Sequence, residues 1–257
     1  MTAVAAAPSF ALLCLEPLRA ALEFTASRFT RHDDFPAGDG HPVILFPGLA
    51  ADRAALAPLC DFCGKLGYEA HDWGRGVNTG PQGDLEDWLE QLCEDVQVHT
   101  RRVGRRASLV GWSLGGIYAR EVAKKVPEAV RQVITLGAPF GGGEHAHAGW
   151  LTHLLSGQSR SVAELLGERL RTAPPVPTTS IYSRTDGVVA WQSCVEADGP
   201  RCESIEVSDA SHIGLVWNAR VWQVVADRLS QPEGQWRPYA AAPCEPATAE
   251  TGCAPHH

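Results

Sequence analysis

Short apolar runs alternate with longer amphipathic stretches through most of the chain, and this alternation restricts the available folds more than any other feature. Runs of roughly four to eight β-branched and aromatic residues predict buried strands, whereas apolar positions recurring about every three to four residues predict helices. The predicted strands lie at 42–46, 68–73, 107–111, 130–136, 178–183 and 203–207, and the predicted helices at 53–66, 85–100, 115–126 and 218–229. Strands that alternate with helices favour an α/β fold, in which a mostly parallel central sheet carries helices on both faces.

The chain is long enough, at 257 residues, for one large core that needs neither disulfides nor a metal ion. We therefore expect a single domain. It has a helical N-terminal segment at about 1–40 and a small inserted cap at about 140–177, where the alternation stops. A tail rich in Pro and Ala, at about 231–257, is expected to be flexible.

The N-terminal segment does not have the pattern of a membrane span or a secretory signal. No apolar run reaches the roughly 20 residues that a helix needs to cross a bilayer, because Glu16, Arg19 and Glu23 interrupt the most apolar stretch. The segment also lacks a basic start and a small-residue cleavage site. We expect a cytoplasmic protein with no integral membrane association.

The net charge argues against some classes of partner. It is −8, from 22 basic and 30 acidic side chains, and so disfavours nucleic acid, whose phosphate backbone is also negative. The cluster Arg101, Arg102, Arg105 and Arg106 is interpreted as a solvated surface. The Gly-rich loop at 74–83 lacks the order of a phosphate-binding motif.

Eight cysteines are too few for a disulfide scaffold in a chain of this length. Cys60 and Cys63 form a C-x-x-C pattern within a predicted helix, and no second Cys or His pair follows at zinc-site spacing. No metal site is predicted, and no cofactor is expected. Cys194 and Cys202 flank a turn at 198–200, and a disulfide between them is an alternative that the sequence leaves open.

The segment most informative about chemistry joins a predicted strand to a predicted helix. Residues 111–116 read Gly-Trp-Ser-Leu-Gly-Gly, a G-x-S-x-G pattern in the strand-turn-helix context that this motif requires. A serine on so sharp a turn needs neighbours without side chains, because their Cβ atoms would collide with the facing backbone. Gly111 and Gly115 meet that requirement, so Ser113 is the candidate nucleophile.

A serine hydroxyl is a weak nucleophile near neutral pH, so it needs a base within hydrogen-bonding reach and a carboxylate that orients the base. On this architecture the three follow one another along the chain as Ser, acid and His. Asp186 follows one predicted strand, and His212 follows the last one. Both lie at carboxyl ends of strands, where the sites of parallel sheets collect, which makes them the candidate acid and base.

Other residues compete for these roles. Asp209 also follows a strand and precedes the candidate base closely, so it is the main rival to Asp186. Asp198, in an Asp-Gly-Pro sequence, is interpreted as a turn former. Three histidines of the predicted cap precede Asp186 in the chain, an order that disfavours them as the base: His145, His147 and His153.

Attack on an acyl carbon produces a tetrahedral oxyanion, which needs hydrogen-bond donors aimed at it. One expected donor is the backbone N–H of Leu114, directly after the candidate nucleophile. The other is expected from the loop after the first strand, where Pro47-Gly48 lets the main chain approach closely; we nominate the N–H of Leu49. Pro-Gly is also a common turn, so a purely structural role is the alternative.

Five segments together resemble the α/β-hydrolase superfamily, and within it the lipase and carboxylesterase type. They are Phe-Pro-Gly-Leu at 46–49, Gly-Trp-Ser-Leu-Gly-Gly at 111–116, Ile-Thr-Leu-Gly-Ala-Pro-Phe at 134–140, Tyr-Ser-Arg-Thr-Asp-Gly-Val-Val at 182–189 and Ser-His-Ile-Gly-Leu at 211–215. The resemblance spans about residues 40–230. It implies the α/β-hydrolase fold, with Ser113 as nucleophile, His212 as general base and then acid, and Asp186 as the orienting carboxylate. Many relatives have His-Gly where this chain has Pro47-Gly48, so the geometry of that loop is not carried over from the family.

The sequence therefore predicts a serine hydrolase that cleaves carboxylic esters, with a small-molecule or lipid ester as substrate. Its activity is expected to fall as His212 protonates below about pH 6. Three tryptophans are candidates for an acyl pocket, with plain core packing as the alternative: Trp112, Trp150 and Trp191. An acyltransferase, a non-catalytic binding protein of the same fold, and a hydrolase of amides or lactones are alternatives that the sequence leaves open.

Overall fold

A six-stranded parallel sheet forms the centre of the molecule. The structure, a computed structural model, describes residues 8–31, 34–141, 166–197 and 199–240. Its strands are β1 (Pro42–Phe46), β2 (Glu69–Asp72), β3 (Ala107–Trp112), β4 (Val130–Leu136), β5 (Thr178–Tyr182) and β6 (Cys202–Glu206). Every neighbouring pair is parallel, in the order β2-β1-β3-β4-β5-β6. The predicted α/β fold with a parallel sheet is confirmed.

Five α-helices lie in the described part of the chain: α1 (Phe10–Ser27), α2 (Arg53–Lys65), α3 (Leu85–Val103), α4 (Leu114–Lys125) and α5 (Ala219–Ser230). Four of them begin at short polar side chains that accept hydrogen bonds from N–H groups of the first turn, namely Ser9, Asp52, Asp84 and Asn218. Helix α3 ends at Gly104, whose φ of 71° lies in the left-handed region. The helices predicted from periodicity are present, with ends that differ by a few residues.

Helices cover both faces of the sheet. Ile44 and Phe46 of β1 pack in one core cluster with residues of α3 and α4, such as Leu89. Val43 and Leu45, which point to the other face, pack in a second cluster with residues of α2 and α5. Strands β1, β3, β4 and β5 are consequently buried along their whole length, whereas the edge strands β2 and β6 are mostly half-buried.

The strand order reverses at β1, which pairs with β2 on one side and with β3 on the other. At such a reversal the connections leave to opposite faces, so a crevice opens at the carboxyl ends of the two strands. The loops after β1 and β3 therefore meet at one place.

Helix α1 packs with charged side chains inward and apolar side chains outward, the reverse of an ordinary amphipathic surface helix. Its buried residues are Glu16, Ala20 and Ser27. Six of its large apolar side chains are exposed: Phe10, Leu13, Leu15, Leu18, Leu22 and Phe24. Because little apolar area is buried, the attachment of α1 to the domain rests largely on polar contacts. Among the described helices, none combines the length and the hydropathy of a membrane span.

The predicted cap and tail fall largely outside the described residues, at 142–165 and 241–257, as do residues 1–7. The described end of the cap region is a 3₁₀ helix at Gly167–Arg171. Arg169 joins it to α4, because its Nε donates to Glu121 at 2.7 Å. The start of the tail is attached to β6, where the N–H of Tyr239 donates to Glu203 at 2.7 Å.

The turn from β3 into α4 is closely packed. A Cβ atom at Gly111 would lie 2.6 Å from the backbone nitrogen of Gly116, and one at Gly115 would lie 2.6 Å from the carbonyl carbon of Phe46. Non-bonded Cβ atoms do not come so close to backbone, so α4 reaches β1 and β3 only because both residues are Gly. Between them Ser113 has φ 54° and ψ −122°, a conformation that residues with side chains rarely adopt.

We predict that Gly111→Ala destabilises the domain by about 1–3 kcal/mol, because the new methyl group forces α4 away from β3. The free energy of unfolding in urea measures this. Gly64→Ala in α2 is the matched control, because no atom lies within 4 Å of its added Cβ. That variant should keep or slightly raise stability. Equal losses in the two variants would show that the close approach at Gly111 does not limit stability.

Candidate active site

Three side chains form a continuous hydrogen-bonded chain at the carboxyl ends of the central strands. Nε2 of His212 lies 3.1 Å from Oγ of Ser113, and Nδ1 of His212 lies 2.7 Å from Oδ2 of Asp186. Ser113 follows β3, whereas the other two lie in the loops after β5 and β6. All three residues are less than a twentieth exposed, with relative exposures of 4%, 3% and 4% for Ser113, Asp186 and His212. The structure therefore brings together the residues that the sequence nominated as nucleophile, acid and base.

The backbone fixes Ser113 at the first turn of α4. Its N–H donates to the carbonyl of Leu136 at 2.9 Å, and its carbonyl accepts from the N–H of Gly116 at 3.0 Å. These bonds hold the unusual φ and ψ, so the hydroxyl projects from the sheet toward His212. The positive end of the α4 dipole faces the same point.

The orientation of Asp186 is set by its own loop. Its Oδ1 accepts hydrogen bonds from the backbone N–H groups of Val188 at 2.8 Å and Val189 at 2.6 Å. This leaves Oδ2 directed at the imidazole, which must then carry its proton on Nδ1 if Nε2 is to accept from Ser113. The arrangement favours the tautomer that a general base needs.

Two opposing effects act on the imidazole of His212. Burial alone lowers its pKa, because the charged form loses hydration. The charge and the hydrogen bond of Asp186 outweigh burial, and the charge of Glu16 acts in the same direction, so the pKa of His212 is raised above the ordinary value of 6.5. The site thus stabilises the imidazolium form without solvent.

The main rival acid, Asp209, is exposed at the surface. It has φ 61°, and its carbonyl accepts a hydrogen bond from Arg19 at 3.2 Å. It is Asp186, therefore, that the structure places against Nδ1 of His212. The candidate histidines of the cap, His145, His147 and His153, lie outside the described residues, as does Asp198.

The loop after β1 lies against the nucleophile. A Cβ atom at Gly48 would lie 3.3 Å from Cβ of Ser113 and 3.1 Å from the ring of Trp112. Leu114 is the first residue of α4, so its N–H has no acceptor within the helix. Leu49 follows Gly48 directly. The two expected oxyanion donors thus lie on the two segments that meet at Ser113, and their roles stay predictions.

The chain is similar in sequence to several known proteins. No protein-family profile matches it. It is 26% identical over 102 residues to the pimeloyl-[acyl-carrier protein] methyl ester esterase of Shewanella woodyi. The matched segment covers 39% of this chain and 37% of that esterase. It is 32% identical over 146 residues to the triacylglycerol lipase of Burkholderia plantarii, covering 52% of this chain and 40% of the lipase. The chain therefore spans about two fifths of the length of the relatives that it matches.

The structural comparison extends over more of the chain. The lipase BlEst2 of Bacillus licheniformis, in its mature form, superimposes with a TM-score of 0.57 at 19% identity, covering 76% of this chain and 94% of the lipase. At that level of identity the likeness shows the fold alone. That fold agrees with the parallel sheet of this chain, which carries Ser113, Asp186 and His212 after the carboxyl ends of its strands. The chain has the α/β-hydrolase fold. The relatives that it resembles in sequence include esterases and a lipase.

Asn78 supports the loop after β1 and is not among the residues that the sequence predicts. It is fully buried, and its Nδ2 donates to the carbonyl of Pro47 at 2.8 Å. Its backbone carbonyl accepts from the N–H of Ala50 at 2.7 Å, and its own N–H donates to Ala51 at 2.8 Å. Asn78 thereby ties the Gly-rich loop at 74–83 to the loop that faces Ser113. A lone Asn among glycines carries no periodic signal that would have identified it.

Gly137 is a second missed residue. It follows β4 with φ 57°, and its N–H donates to the carbonyl of Ile181 at 2.9 Å. A Cβ atom here would lie 3.2 Å from Nδ1 of His212 and 3.4 Å from Oδ2 of Asp186. The backbone of β4 therefore packs directly under the pair. The Gly-Ala-Pro that follows β4 contributes to the family resemblance, but its sequence gives no reason to place Gly137 beside His212.

The candidate pocket tryptophans have different surroundings. Nε1 of Trp112 donates to the carbonyl of His212 at 3.0 Å, so this side chain supports the loop of the base. Trp191 stacks on Tyr182 at a centroid distance of 5.6 Å, with the guanidinium of Arg184 4.6 Å from its ring centre. Trp150 lies outside the described residues. A pocket role for these residues stays a prediction.

The cysteines of the described part have free thiols, including Cys60, Cys63, Cys194 and Cys202. The disulfide that the sequence left open between Cys194 and Cys202 is therefore not present in the structure. Among the described residues, no group of three or more His, Cys, Asp and Glu side chains is arranged to hold a metal ion.

A second Ser-His-Asp arrangement lies at the opposite, amino end of the sheet. Nε2 of His41 lies 2.8 Å from Oγ of Ser108, and Nδ1 of His41 is hydrogen bonded to Asp39. Ser108 and His41 are both fully buried, and Ser108 also accepts a hydrogen bond from Gln132 at 3.1 Å. Burial lowers the pKa of His41, which favours its neutral form. Because Ser108 and His41 are fully buried, this group satisfies buried polar atoms and has no route to a substrate.

We predict that Gly137→Ala separates His212 from Asp186, because the methyl group competes with the imidazole for the same space. The downfield proton resonance of Nδ1–H, which reports this hydrogen bond, should be lost in the folded variant.

Gly104→Ala is the matched control, because its φ of 71° gives similar backbone strain while no atom lies within 4 Å of its Cβ. It should lose about 1 kcal/mol or more of stability and keep the resonance. Retention of the signal in Gly137→Ala would show that the pair does not depend on the space at Gly137.

Proposed function

We propose that the chain is a serine hydrolase that cleaves carboxylic esters through an acyl-enzyme on Ser113. The observation that carries this proposal is the continuous hydrogen-bonded chain from Oγ of Ser113 through His212 to Asp186. The strained backbone at Ser113 supports it as well, because such strain persists only where the surroundings enforce it and is concentrated at functional sites. Esterases and lipases among the relatives point in the same direction.

In the acylation step, Nε2 of His212 takes the hydroxyl proton as Oγ of Ser113 attacks the acyl carbon of the ester. The carbonyl oxygen becomes an oxyanion, to which the N–H groups of Leu49 and Leu114 donate. The imidazolium is stabilised by the Asp186 carboxylate. It then gives its proton to the leaving alkoxide, so that the alcohol departs and the acyl group stays on Ser113.

In the deacylation step, His212 takes a proton from water, and the resulting hydroxide equivalent attacks the acyl carbon. A second oxyanion forms at the same donors. Collapse of this intermediate expels Oγ, which recovers its proton from the imidazolium. The carboxylic acid leaves and the resting site is restored, so no cofactor is needed for the cycle.

The substrate class that we propose is a small-molecule or lipid ester with an apolar acyl side. The name of the Burkholderia relative, a triacylglycerol lipase, supports the lipid ester. Nucleic acid is not proposed as a partner. In support, three arginines of the basic cluster pair with acidic side chains of this chain: Arg102 with Glu69, Arg105 with Asp39 and Arg106 with Glu233.

We also propose a cytoplasmic location. In support, eight cysteines are too few for a disulfide scaffold in a chain of this length.

We predict that Ser113→Ala lowers kcat on a medium-chain nitrophenyl ester by roughly 10⁵- to 10⁶-fold, because no other group supplies the attacking oxygen. It should also abolish labelling by a fluorophosphonate probe. The matched control is Ser108→Ala, which removes the serine of the second Ser-His-Asp arrangement. That variant should hydrolyse the ester normally and lose about 1–3 kcal/mol of stability.

Full activity in Ser113→Ala would refute the assignment. Preferential formation of a new ester when an acceptor alcohol is added would assign the chain as an acyltransferase. Absence of both turnover and probe labelling in the folded parent protein would favour the non-catalytic alternative.

We predict that kcat/KM falls with decreasing pH at a midpoint above 6.5, because the raised pKa of His212 means that it loses its basic form earlier than a free imidazole does. We therefore expect the acid limb at a higher pH than the value of about 6 that the sequence suggested. Asp186→Asn should lower kcat by roughly 10⁴-fold and shift the midpoint of the residual activity downward. An acid limb below pH 6 in the parent protein would contradict the proposed electrostatics.

A further inference from the structure

The charged side chains of helix α1 are directed inward, onto the two loops that carry Asp186 and His212. They occur at Glu16, Arg19 and Glu23, a spacing of three to four residues that places them on one face of the helix. The opposite face is apolar and exposed. The carboxylates therefore do not serve to keep this helix hydrated.

Glu16 bridges the two loops. Its Oε1 accepts hydrogen bonds from the N–H of Gly187 at 2.8 Å and from the N–H of His212 at 2.9 Å, and its Oε2 accepts from the N–H of Ile213 at 3.1 Å. Gly187 is the residue directly after Asp186. One buried carboxylate, with a relative exposure of 1%, thus fixes the backbone of the base and of the neighbour of the acid.

Arg19 and Glu23 extend the same contact. Arg19 donates to the carbonyl of Thr185 at 2.6 Å, just before the acid, and to its hydroxyl at 2.8 Å. Glu23 accepts from the N–H of Ser211 at 3.1 Å, just before the base, and from Nδ2 of Asn218 at 3.0 Å. The loops are thus held on both sides of Asp186 and His212.

Two glycines in these loops leave space for the helix. A Cβ atom at Gly187 would lie 2.6 Å from the carbonyl carbon of Leu12 in α1, and one at Gly214 would overlap the carboxylate of Glu23. Neither glycine has a positive φ, so their lack of a side chain is explained by the close approach of α1. The two loops and the helix fit one another.

We propose that α1 is a clamp on the acid and base loops, and that Glu16 is a positioning residue that sets the distance between Asp186 and His212. The proposal rests on the function proposed for this site and deepens it. Nothing in the Ser-acid-His order of the chain requires a further carboxylate, so this clamp is an addition to the three-residue arrangement.

The charges around His212 give the clamp an electrostatic effect as well. Among the described residues, Asp186 from the β5 loop and Glu16 from α1 are the anionic groups that act on the imidazole, and Ser113 is its neutral partner. Nη1 of Arg19 lies 3.9 Å from Oε1 of Glu16, so the guanidinium offsets part of the charge of the Glu16 carboxylate. Both carboxylates favour the imidazolium, so neutralising Glu16 should lower the pKa of His212.

The test compares three variants of the full chain, Glu16→Gln, Glu16→Asp and Glu23→Gln. For each, kcat and KM on a nitrophenyl ester are measured against pH, and the imidazole of His212 is titrated by NMR. Glu16→Gln keeps the length of the side chain but removes the charge, and its amide N–H₂ opposes one of the three backbone donors. We expect kcat to fall roughly 10- to 100-fold with KM nearly unchanged, and the acid limb to move to lower pH.

The other variants separate position from charge. Glu16→Asp keeps the charge but is too short to bridge Gly187 and His212, so kcat should fall while the acid limb stays near its parental pH. Glu23→Gln removes a charge from the same face of α1, where the carboxylate binds Ser211 and Asn218, and should leave the limb in place. Mere loss of folded protein would lower the amplitude of every profile without moving any limb.

Parental kcat and parental His212 pKa in Glu16→Gln would overturn the proposal, as would an equal shift in Glu23→Gln. If the parent protein cleaves no ester, the proposed function fails by itself. The NMR titration then still decides the clamp, because it requires no substrate: a lowered His212 pKa in Glu16→Gln alone supports it, and identical titrations overturn it.

Discussion

The approach of α4 to the ends of β1 and β3 is the contact on which the rest of the site depends. It forces the backbone of Ser113 into a conformation that costs on the order of 1–3 kcal/mol, and the glycines at 111 and 115 make this approach sterically allowed. The same contact brings the start of α4 against the loop after β1, because a Cβ atom at Gly115 would lie 2.6 Å from the carbonyl carbon of Phe46. The position of the hydroxyl and the positions of the two segments expected to carry the oxyanion donors therefore depend on the same packing.

The electrostatics of the site come from segments that are far apart in the chain. Burial disfavours a charged imidazole at His212, and the carboxylate of Asp186 reverses that preference. Because both lie in loops after neighbouring strands, small movements of either loop would change the balance. Helix α1, from the start of the chain, contacts both loops through buried polar atoms, although its outer face is apolar. Helix α1 therefore acts as a clamp that stabilises these loops through polar contacts, and it contributes little to the apolar core.

The sequence predicts local and periodic features well, and it fails where a contact has no local signature. Strands and helices follow from the spacing of apolar residues, and Ser113, Asp186 and His212 follow from strand ends in a fixed order, because a parallel sheet brings such ends together. Asn78, Gly137 and Glu16 are different. Each acts on the site through a fold-level contact: a side-chain bond to Pro47, a space beneath His212, and a bridge between loops. In the sequence, Glu16 is visible only as a charged residue that interrupts an apolar run.

The two Ser-His-Asp arrangements of this chain show what such a geometry means by itself. Both join the hydroxyl of a β3 or post-β3 serine to Nε2 of a histidine, at 2.8 Å for Ser108 and 3.1 Å for Ser113. The shorter bond belongs to Ser108, which lies in a regular strand, is fully buried and also accepts a hydrogen bond from Gln132. Ser113 instead lies on a strained turn at the start of a helix, beside a glycine loop. Hydrogen-bond distances therefore do not distinguish a reactive serine from a structural one. The difference between the two serines lies in the backbone, which is strained at Ser113, with φ 54° and ψ −122°, and regular at Ser108 within β3.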